Sequence, residues 1–566
     1  MVKNYTRECG TLNTDMATKM TKTSVLFVLC LLFTASVAGA AEVAVQEAVR
    51  LEIEQLSSSG RLDALNIDVA ADNLLIEIYE HRQFQPAWDD IDQVGELLAA
   101  ITATAEDGLD PNDYHVEQVA RGYEQLRTGT ATSATGRAEL ELMFTDSLIR
   151  LAYHERFGKL NPYSLDPQWN FRRDFDDVDA AAVILAAIES DSLLAHLGAM
   201  FPRGWVYEQL RDGLARYSRI ATDGGWPAVP EGPTLRPGMS DGRLATLAQR
   251  LAVTGDLPAS ATAAIDNVYS ATLEAAVRQF QARHNLEVDG IVGPSTIRAL
   301  NVPAEQRVRQ LQINLERARW VFDDVADDLI IVNIAGFTAY VLRDREIVWQ
   351  TKVQVGSTYH QSPVFRDEIK YLVFNPTWTV PYSIATKEML PQIKNDPDYF
   401  AKRDFDVKDR SGQIIDPAGV DWSQLSRGNF PYTLVQRPSP NNALGRVKFM
   451  FPNEHAVYLH DTPSKYLFER AERAFSHGCI RVENPFELAE VLLGADGWTQ
   501  ERFREVLASG ETKTVFLSQP LPVLLLYWTA SVSPDGIVHF YQDIYERDQR
   551  IDKGLAAAFV MDLPAG

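Results

Sequence analysis

The chain has 566 residues, 46% of them hydrophobic and 23% charged, with a formal net charge of −23. This composition excludes a disordered or fibrous chain, and the length calls for roughly two to four domains. The acidic balance argues against a nucleic-acid partner, which needs clustered Lys and Arg.

At the N-terminus, Lys19 and Lys22 precede the apolar run Val25–Phe33, and small residues follow up to Ala38-Gly39-Ala40. That order predicts a signal peptide over residues 1–40, cleaved near Ala40. Contact with a membrane is expected only through this segment, and only where it stays uncleaved. Cys30 follows Leu29, not a small residue, so it is no lipid-acceptor site. Cleavage removes Cys9 and Cys30 and leaves Cys479 as the single thiol, so no intrachain disulfide forms.

Residues 42–235 read as a helical scaffold. Leu74, Leu75, Ile78 and Tyr79 have helical spacing, as do Leu140, Met143, Phe144, Leu148 and Leu151. The Pro- and Gly-rich stretch from Pro227 to Pro237 marks a boundary. Residues 239–301 then form a small three-helix unit. Leu244, Leu247 and Leu251 share one face, Leu273, Ala276, Val277 and Phe280 another, and Pro294 opens a third helix after Asp289-Gly290. Val277-Arg278-Gln279-Phe280-Gln281 through Asp289-Gly290-Ile291-Val292-Gly293-Pro294-Ser295-Thr296 resembles the peptidoglycan-binding three-helix module. Residues 302–326 give an amphipathic linking helix through Val308, Leu311, Leu315 and Ala318.

From 327 to 520 the period changes to that of strands: Leu329–Ile334, Ala339–Leu342, Ile347–Val355, Tyr371–Phe374 and Ala456–Leu459. A polar insertion at about 387–432 has the length of a lid. Residues 521–566 form a C-terminal segment with further apolar runs. The fold class is therefore α+β multidomain: a helical scaffold, a three-helix module and a mostly-β domain carrying an insertion.

Cys479 sits in Ser476-His477-Gly478-Cys479-Ile480-Arg481-Val482, and His460 follows the run Val457–Leu459. A thiol nucleophile needs a base or cation beside it, and glycine lets backbone amides approach an oxyanion. A zinc site from His455, His460, His477 and Cys479 is the competing reading, although the two-residue His-x-Cys step is unusual for zinc. An inert buried thiol is the other, and Ser476, His477 and Arg481 make polar company for it.

His460, then Ser476-His477-Gly478-Cys479 ending nineteen residues later, and Arg481, resemble the L,D-transpeptidase (YkuD-type) motif. Asn375–Pro381 and Asn442–Phe449 are similar to the same family. The resemblance implies a large periplasmic enzyme of the Gram-negative envelope that joins peptidoglycan stem peptides 3→3. It implies Cys479 as nucleophile, His460 as general base and acid, amides at His477 and Gly478 for the oxyanion, and Arg481 for substrate orientation. No metal or organic cofactor is implied, and carbapenem β-lactams are the expected covalent inhibitors. Asp461-Thr462 departs from the Gly-Thr or Gly-Ser of many smaller members, and Arg481 stands where some carry Asn, so the third partner of His460 stays open. An L,D-carboxypeptidase, a lipoprotein-anchoring transpeptidase and a non-catalytic wall-binding scaffold remain alternatives.

Overall fold

The computed structural model describes residues 42–62, 65, 67–130, 133–165, 169–170, 179–200, 204–262, 267–321 and 326–561. The expected signal peptide, with Cys9 and Cys30, lies outside them. No helix among the described residues is long and apolar enough to cross a membrane.

The first region is helical: α1 (42–59), α2 (Asp72–His81), α3 (Ile91–Ala103), α4 (Val116–Arg127), α5 (Ala134–Phe157), α6 (Ala180–Ile188), α7 (Leu193–Met200) and α8 (Trp205–Thr222). The central element is α5, which is buried on every side from Leu140 to His154. Its polar residues are paired inward: Thr145 Oγ1 lies 2.7 Å from the Tyr79 hydroxyl, and Arg150 Nε donates to Asp146 at 2.7 Å. Apolar spacing picks out one stripe of such a helix and misses the buried polar face.

The small module follows as α9 (Leu244–Val253), α10 (Ala271–Arg283) and α11 (Pro294–Leu300), with its own core around Leu247, Leu273 and Phe280. Pro294 starts α11, where its missing N–H costs nothing. The module is packed on its neighbours through buried charge. Arg283 pairs with Asp256 at 2.5 Å, and its guanidinium reaches the Val538 carbonyl at 3.4 Å.

Helix α12 (Ala304–Arg319), expected as a linker, is a central pillar. Arg307, Asn314, Glu316, Arg317 and Arg319 are all buried on it. Glu316 accepts from Leu160 N at 2.7 Å, Arg319 donates to the Tyr207 hydroxyl at 2.9 Å, and Arg317 pairs with Asp548 at 2.7 Å.

The strands of the region after 327 are β1 (Leu329–Asn333), β2 (Thr338–Arg343), β3 (Glu346–Gly356), β4 (Phe365–Phe374), β5 (Trp378–Thr379), β6 (Phe405–Lys408), β7 (Ile414–Ile415), β8 (Thr433–Gln436), β9 (Val447–Met450), β10 (Leu459–His460), β11 (Ala474–Ser476), β12 (Ile480–Val482) and β13 (Lys513–Leu526). The main sheet runs β11-β3-β12-β10-β9-β4-β13-β1-β2, and β2 pairs again with β3, so the pairings close on themselves. Closure leaves few open edges. Its core holds Ile330, Val353, Phe365, Leu372 and Phe449, with helices α13 (Pro485–Leu493) and α14 (Gln500–Ser509) packed on it. Strand β13 runs through position 520, where the sequence suggested a division. Beyond it, the hairpin β14 (Ala530–Val532) and β15 (Val538–Phe540) and helix α15 (Asp548–Leu555) pack back onto α8 and α12.

The insertion is more than a polar loop. Strands β5–β8 form their own sheet, and Val380, Leu390, Phe400, Val407 and Leu434 make a separate core. It therefore extends on both sides of 387–432. Its apolar residues are dispersed among Asp, Ser, Gly and Pro, which is why the segment reads as polar.

Removing one partner of the buried Arg283–Asp256 pair strands a charge, at a typical cost of about 3–5 kcal/mol. Asp256→Ala is expected to lower the urea midpoint accordingly, whereas a change at the exposed pair Arg127–Glu124 should barely move it. Equal effects from the two would show that this buried pair inside the module adds nothing to its stability.

Candidate functional site

The site is built on the short parallel pair β10 and β12, whose register sets Leu459 against Ile480 and His460 against Arg481. Directly paired residues share a face of the sheet. On β9, Lys448 is the partner of His460, and on β3, Gln354 is the partner of Arg481. Gln354, Arg481, His460 and Lys448 thus form one polar row across four strands. Cys479 enters one residue before this register, beside Tyr458. Of the expected run Ala456–Leu459, only its last residue lies in β10, because Ala456 has φ +52°, outside the strand region.

The Cys479 side chain is half-buried, and its sulfur lies 3.8 Å from the Ala456 carbonyl. Burial raises the thiol pKa, while hydrogen bonds from Tyr458 and the charges of Arg481 and Lys448 pull it down. His460 is buried, and its pKa falls to about 3, chiefly because burial disfavours the imidazolium and then because Arg481 lies close; the backbone at Asp461 and Leu444 works the other way. Its Nδ1 lies 2.5 Å from the Asp461 carbonyl. A carbonyl only accepts, so Nδ1 carries the proton and the neutral ring keeps Nε2 as a lone pair. The resting pair is thus a neutral thiol and a neutral imidazole. No hydrogen bond joins them in the described contacts.

The backbone component of Asp461 is therefore what meets His460, while its carboxylate turns away to Arg446 N (2.8 Å) and Lys465 (2.8 Å). Gly445 is required beside it: φ is +61°, and a Cβ would lie 2.3 Å from Asp461 Oδ2. The two other family-like segments support the site from behind. Arg446 donates to Asn375 Oδ1 at 3.1 Å, and Asn442 Nδ2 donates to the Pro376 carbonyl at 3.1 Å.

Gly478 makes the turn before the thiol with φ +113°, a conformation L side chains rarely adopt. Its amide already donates to Ser476 Oγ at 3.1 Å, and Ser476 Oγ donates in turn to the Cys479 carbonyl at 2.5 Å. The Ser476 hydroxyl thus folds back on the turn and takes the Gly478 amide, one of the amides expected at the oxyanion. His477 is exposed and faces the insertion, where its Nε2 lies 2.8 Å from Glu388 Oε1. Arg481 donates to Gln354 Oε1 at 3.2 Å, and its Nε has no partner.

The four residues weighed as zinc ligands do not converge. His460 is engaged at Asp461, His477 at Glu388, and the His455 ring stacks edge-on against Phe365 at 4.9 Å. Among the described residues, His360, Glu388 and His477 do bring three ligand atoms within 4.8 Å of one another, all on exposed side chains. The site also uses residues that sequence reasoning did not name for it: Tyr458 and Gln354, and Lys448, whose position inside the apolar strand Val447–Met450 was the available signal.

The family model described as "L,D-transpeptidase catalytic domain" matches residues 327–512, the region that holds this whole constellation. Residues 327–512 are thus similar to an L,D-transpeptidase catalytic domain. The same comparison matches 240–300 to "Putative peptidoglycan binding domain" and 73–214 to "Scaffold domain". A Haemophilus influenzae protein named "Putative L,D-transpeptidase" is 36% identical over 244 residues, which are 43% of this chain and 49% of that one. The chain thus spans about half the length of the curated relative it matches. Among solved structures, the L,D-transpeptidase (residues 123–326) of Xylanimonas cellulosilytica aligns at 16% identity and a TM-score of 0.17, covering 52% of this chain and 99% of that one. A fused Zn-dependent amidase/peptidase/peptidoglycan-binding protein of Clostridium acetobutylicum aligns at 12% identity and a TM-score of 0.14, covering 52% of this chain and all of that one.

The depressed His460 pKa links the stability of the region 327–512 to pH. Between about pH 3 and 6.5 the unfolded chain binds a proton at this histidine and the folded chain does not. Stability from this residue is complete above pH 6.5 and is lost as pH falls toward 3. His460→Gln should flatten the acid limb of a urea-unfolding series by up to one proton, roughly 1.4 kcal/mol per pH unit. An unchanged slope would mean that His460 is charged in the folded state.

Proposed function

We propose that the chain is an L,D-transpeptidase acting on peptidoglycan in the periplasm, forming 3→3 cross-links through a thioester on Cys479. The observation that carries this reading is the match of residues 327–512 to the L,D-transpeptidase catalytic domain, supported by a thiol and a neutral, Nδ1-protonated histidine on adjoining parallel strands.

In this mechanism the Cys479 sulfur attacks the carbonyl of the third stem residue, and His460 Nε2 takes the thiol proton. A neutral pair suits that step, because the charge separates only as the sulfur attacks. The carbonyl C–N bond then breaks, and the proton on His460 goes to the departing D-alanine amine. The side-chain amine of a second stem attacks the thioester and releases the thiol. Donors to the oxyanion come from the amides of His477 and Cys479, since Gly478 N–H is committed to Ser476. Arg481, whose Nε has no partner and whose charge acts on the thiol, orients a substrate carbonyl or carboxylate. Lys448 adds positive charge that favours the thiolate. The packed module at 240–300 presents a wall-binding face held in fixed relation to the catalytic domain, and Glu287 of that unit accepts from Ala471 N at 3.0 Å, a few residues before the Ser-His-Gly-Cys turn.

The test is incubation with purified tetrapeptide stems and a carbapenem, read by intact-mass and product mass spectrometry. Wild type should gain an acyl adduct with either reagent and yield cross-linked dimers from the stems. Cys479→Ala should show no adduct while staying folded, since no disulfide is lost. His460→Ala should lose at least about 100-fold in rate, the lower range for a general base, and His477→Ala less. Tripeptide without dimer would assign the L,D-carboxypeptidase instead, and transfer only to a lipoprotein lysine the anchoring enzyme. Adducts on Cys479→Ala, or none on wild type, would overturn the reading and favour the non-catalytic scaffold.

A further inference from the structure

One cavity lies apart from the thiol. It has a volume of about 700 Å³ and lies where the scaffold, α12, the main sheet and the C-terminal segment meet. That size suits a small-molecule site. Three tryptophans, Trp169, Trp320 and Trp528, line it, and Tyr545 closes the side toward the catalytic turn. Arg317, Arg547 and Arg550 bring three guanidinium groups to a cavity inside an acidic chain. Glu546 also lines it.

Two of these groups decide the chemistry. Arg317 is only 5% exposed; one end of its guanidinium pairs with Asp548, and Nη2 has no partner. A buried guanidinium nitrogen left without an acceptor is costly unless a ligand supplies one. Carboxylate is the acceptor that a guanidinium fork fits best, and indole faces pack against the apolar faces of a sugar or a peptide. Arg550 is already committed to the carbonyls of Ser164 and Leu165, and so shapes the wall.

The cavity is wired to the catalytic turn. The segment 357–362 lines it through Thr358, Tyr359 and Gln361. The Tyr545 hydroxyl donates to the Gly356 carbonyl at 2.5 Å and accepts from Ser362 N at 3.2 Å. Ser362 Oγ donates to the Gly478 carbonyl at 2.7 Å, next to Cys479. An occupant pressing on Tyr545 is therefore two hydrogen bonds from the residue before the nucleophile.

Resting on the reading above, we propose that this cavity is a second substrate subsite, which takes a carboxylate-bearing muramyl-peptide portion of the wall through Arg317 and the tryptophan walls, apart from the cleft at Cys479. The carboxylate has two sources, the peptide stem or, in sugar that has lost its stem, the lactyl group.

The probe is N-acetylmuramyl-L-alanyl-D-isoglutamine, which lacks the third stem residue and cannot acylate Cys479. Titration calorimetry on the full chain, wild type and Cys479→Ala, should give one binding event of equal affinity. Arg317→Met should weaken it at least tenfold, and so should the probe with its carboxylate amidated. Because Arg317 also pairs with Asp548, a second variant guards against misfolding. Thr358→Trp, at an exposed position on the rim, should block the cavity and weaken binding likewise, while thiol labelling of Cys479 by a small alkylating reagent stays unchanged. N-acetylmuramic acid alone and L-alanyl-D-isoglutamine alone assign the carboxylate to sugar or stem by which one binds. No binding to wild type, or full affinity in Thr358→Trp, overturns the subsite. Neither result touches the acyl-enzyme test, so failure of the catalytic reading is seen separately.

Discussion

Two residues of parallel pairing, Leu459 with Ile480 and His460 with Arg481, decide where every reactive group lies. Side chains alternate along a strand, so a slip of one residue would send His460 to the opposite face from Arg481 and Lys448. Backbone hydrogen bonds fix β10 against both of its neighbours. Ile480 N donates to the Tyr458 carbonyl at 3.1 Å, and Asp461 N donates to the Val447 carbonyl at 2.9 Å. Leu459, Ile480 and Val482 are fully buried in the sheet core, where the hydrophobic effect locks the choice of face. With the pair fixed, the turn at Gly478 delivers the thiol beside Tyr458, and the ring of His460 finds the Asp461 carbonyl.

The consequence for chemistry is a resting site without an ion pair. Burial lowers the basicity of His460 and raises the thiol pKa, and the cations Arg481 and Lys448 reinforce the first effect while opposing the second. A buried site makes electrostatic interactions stronger than they are in water. The same cations that keep His460 neutral also favour negative charge on sulfur or on a developing oxyanion. They are built into the sheet by register, not carried on a mobile loop.

Around this core the domains are joined through buried polar contacts. Helix α12 sends Glu316 and Arg319 to the scaffold and Arg317 to the C-terminal helix, and Arg283 ties the small module to the hairpin at Val538. Such charges stay buried only when paired, so the arrangement of the units is specified by partners that sit in different regions of the chain. The insertion is anchored differently. It has its own core and reaches the turn before Cys479 through the exposed contact of Glu388 with His477.

The sequence alone determined the kinds of element and the reactive vocabulary. Period and composition are local properties, so the helices from 42 to 222, the three-helix module, the strands after 328 and the Ser-His-Gly-Cys turn were legible. It also pointed to His460 and Arg481, through spacing that matches a known family. Tertiary structure alone decided the rest, because it depends on contacts between distant residues. Burial of the polar face of α5, the pillar role of α12 and the folded core of the insertion all arise from partners far away in the chain. So does the row from Gln354 to Lys448, set by strand pairing across the sheet, and the loss of the Gly478 amide to Ser476, set by the direction in which one hydroxyl turns.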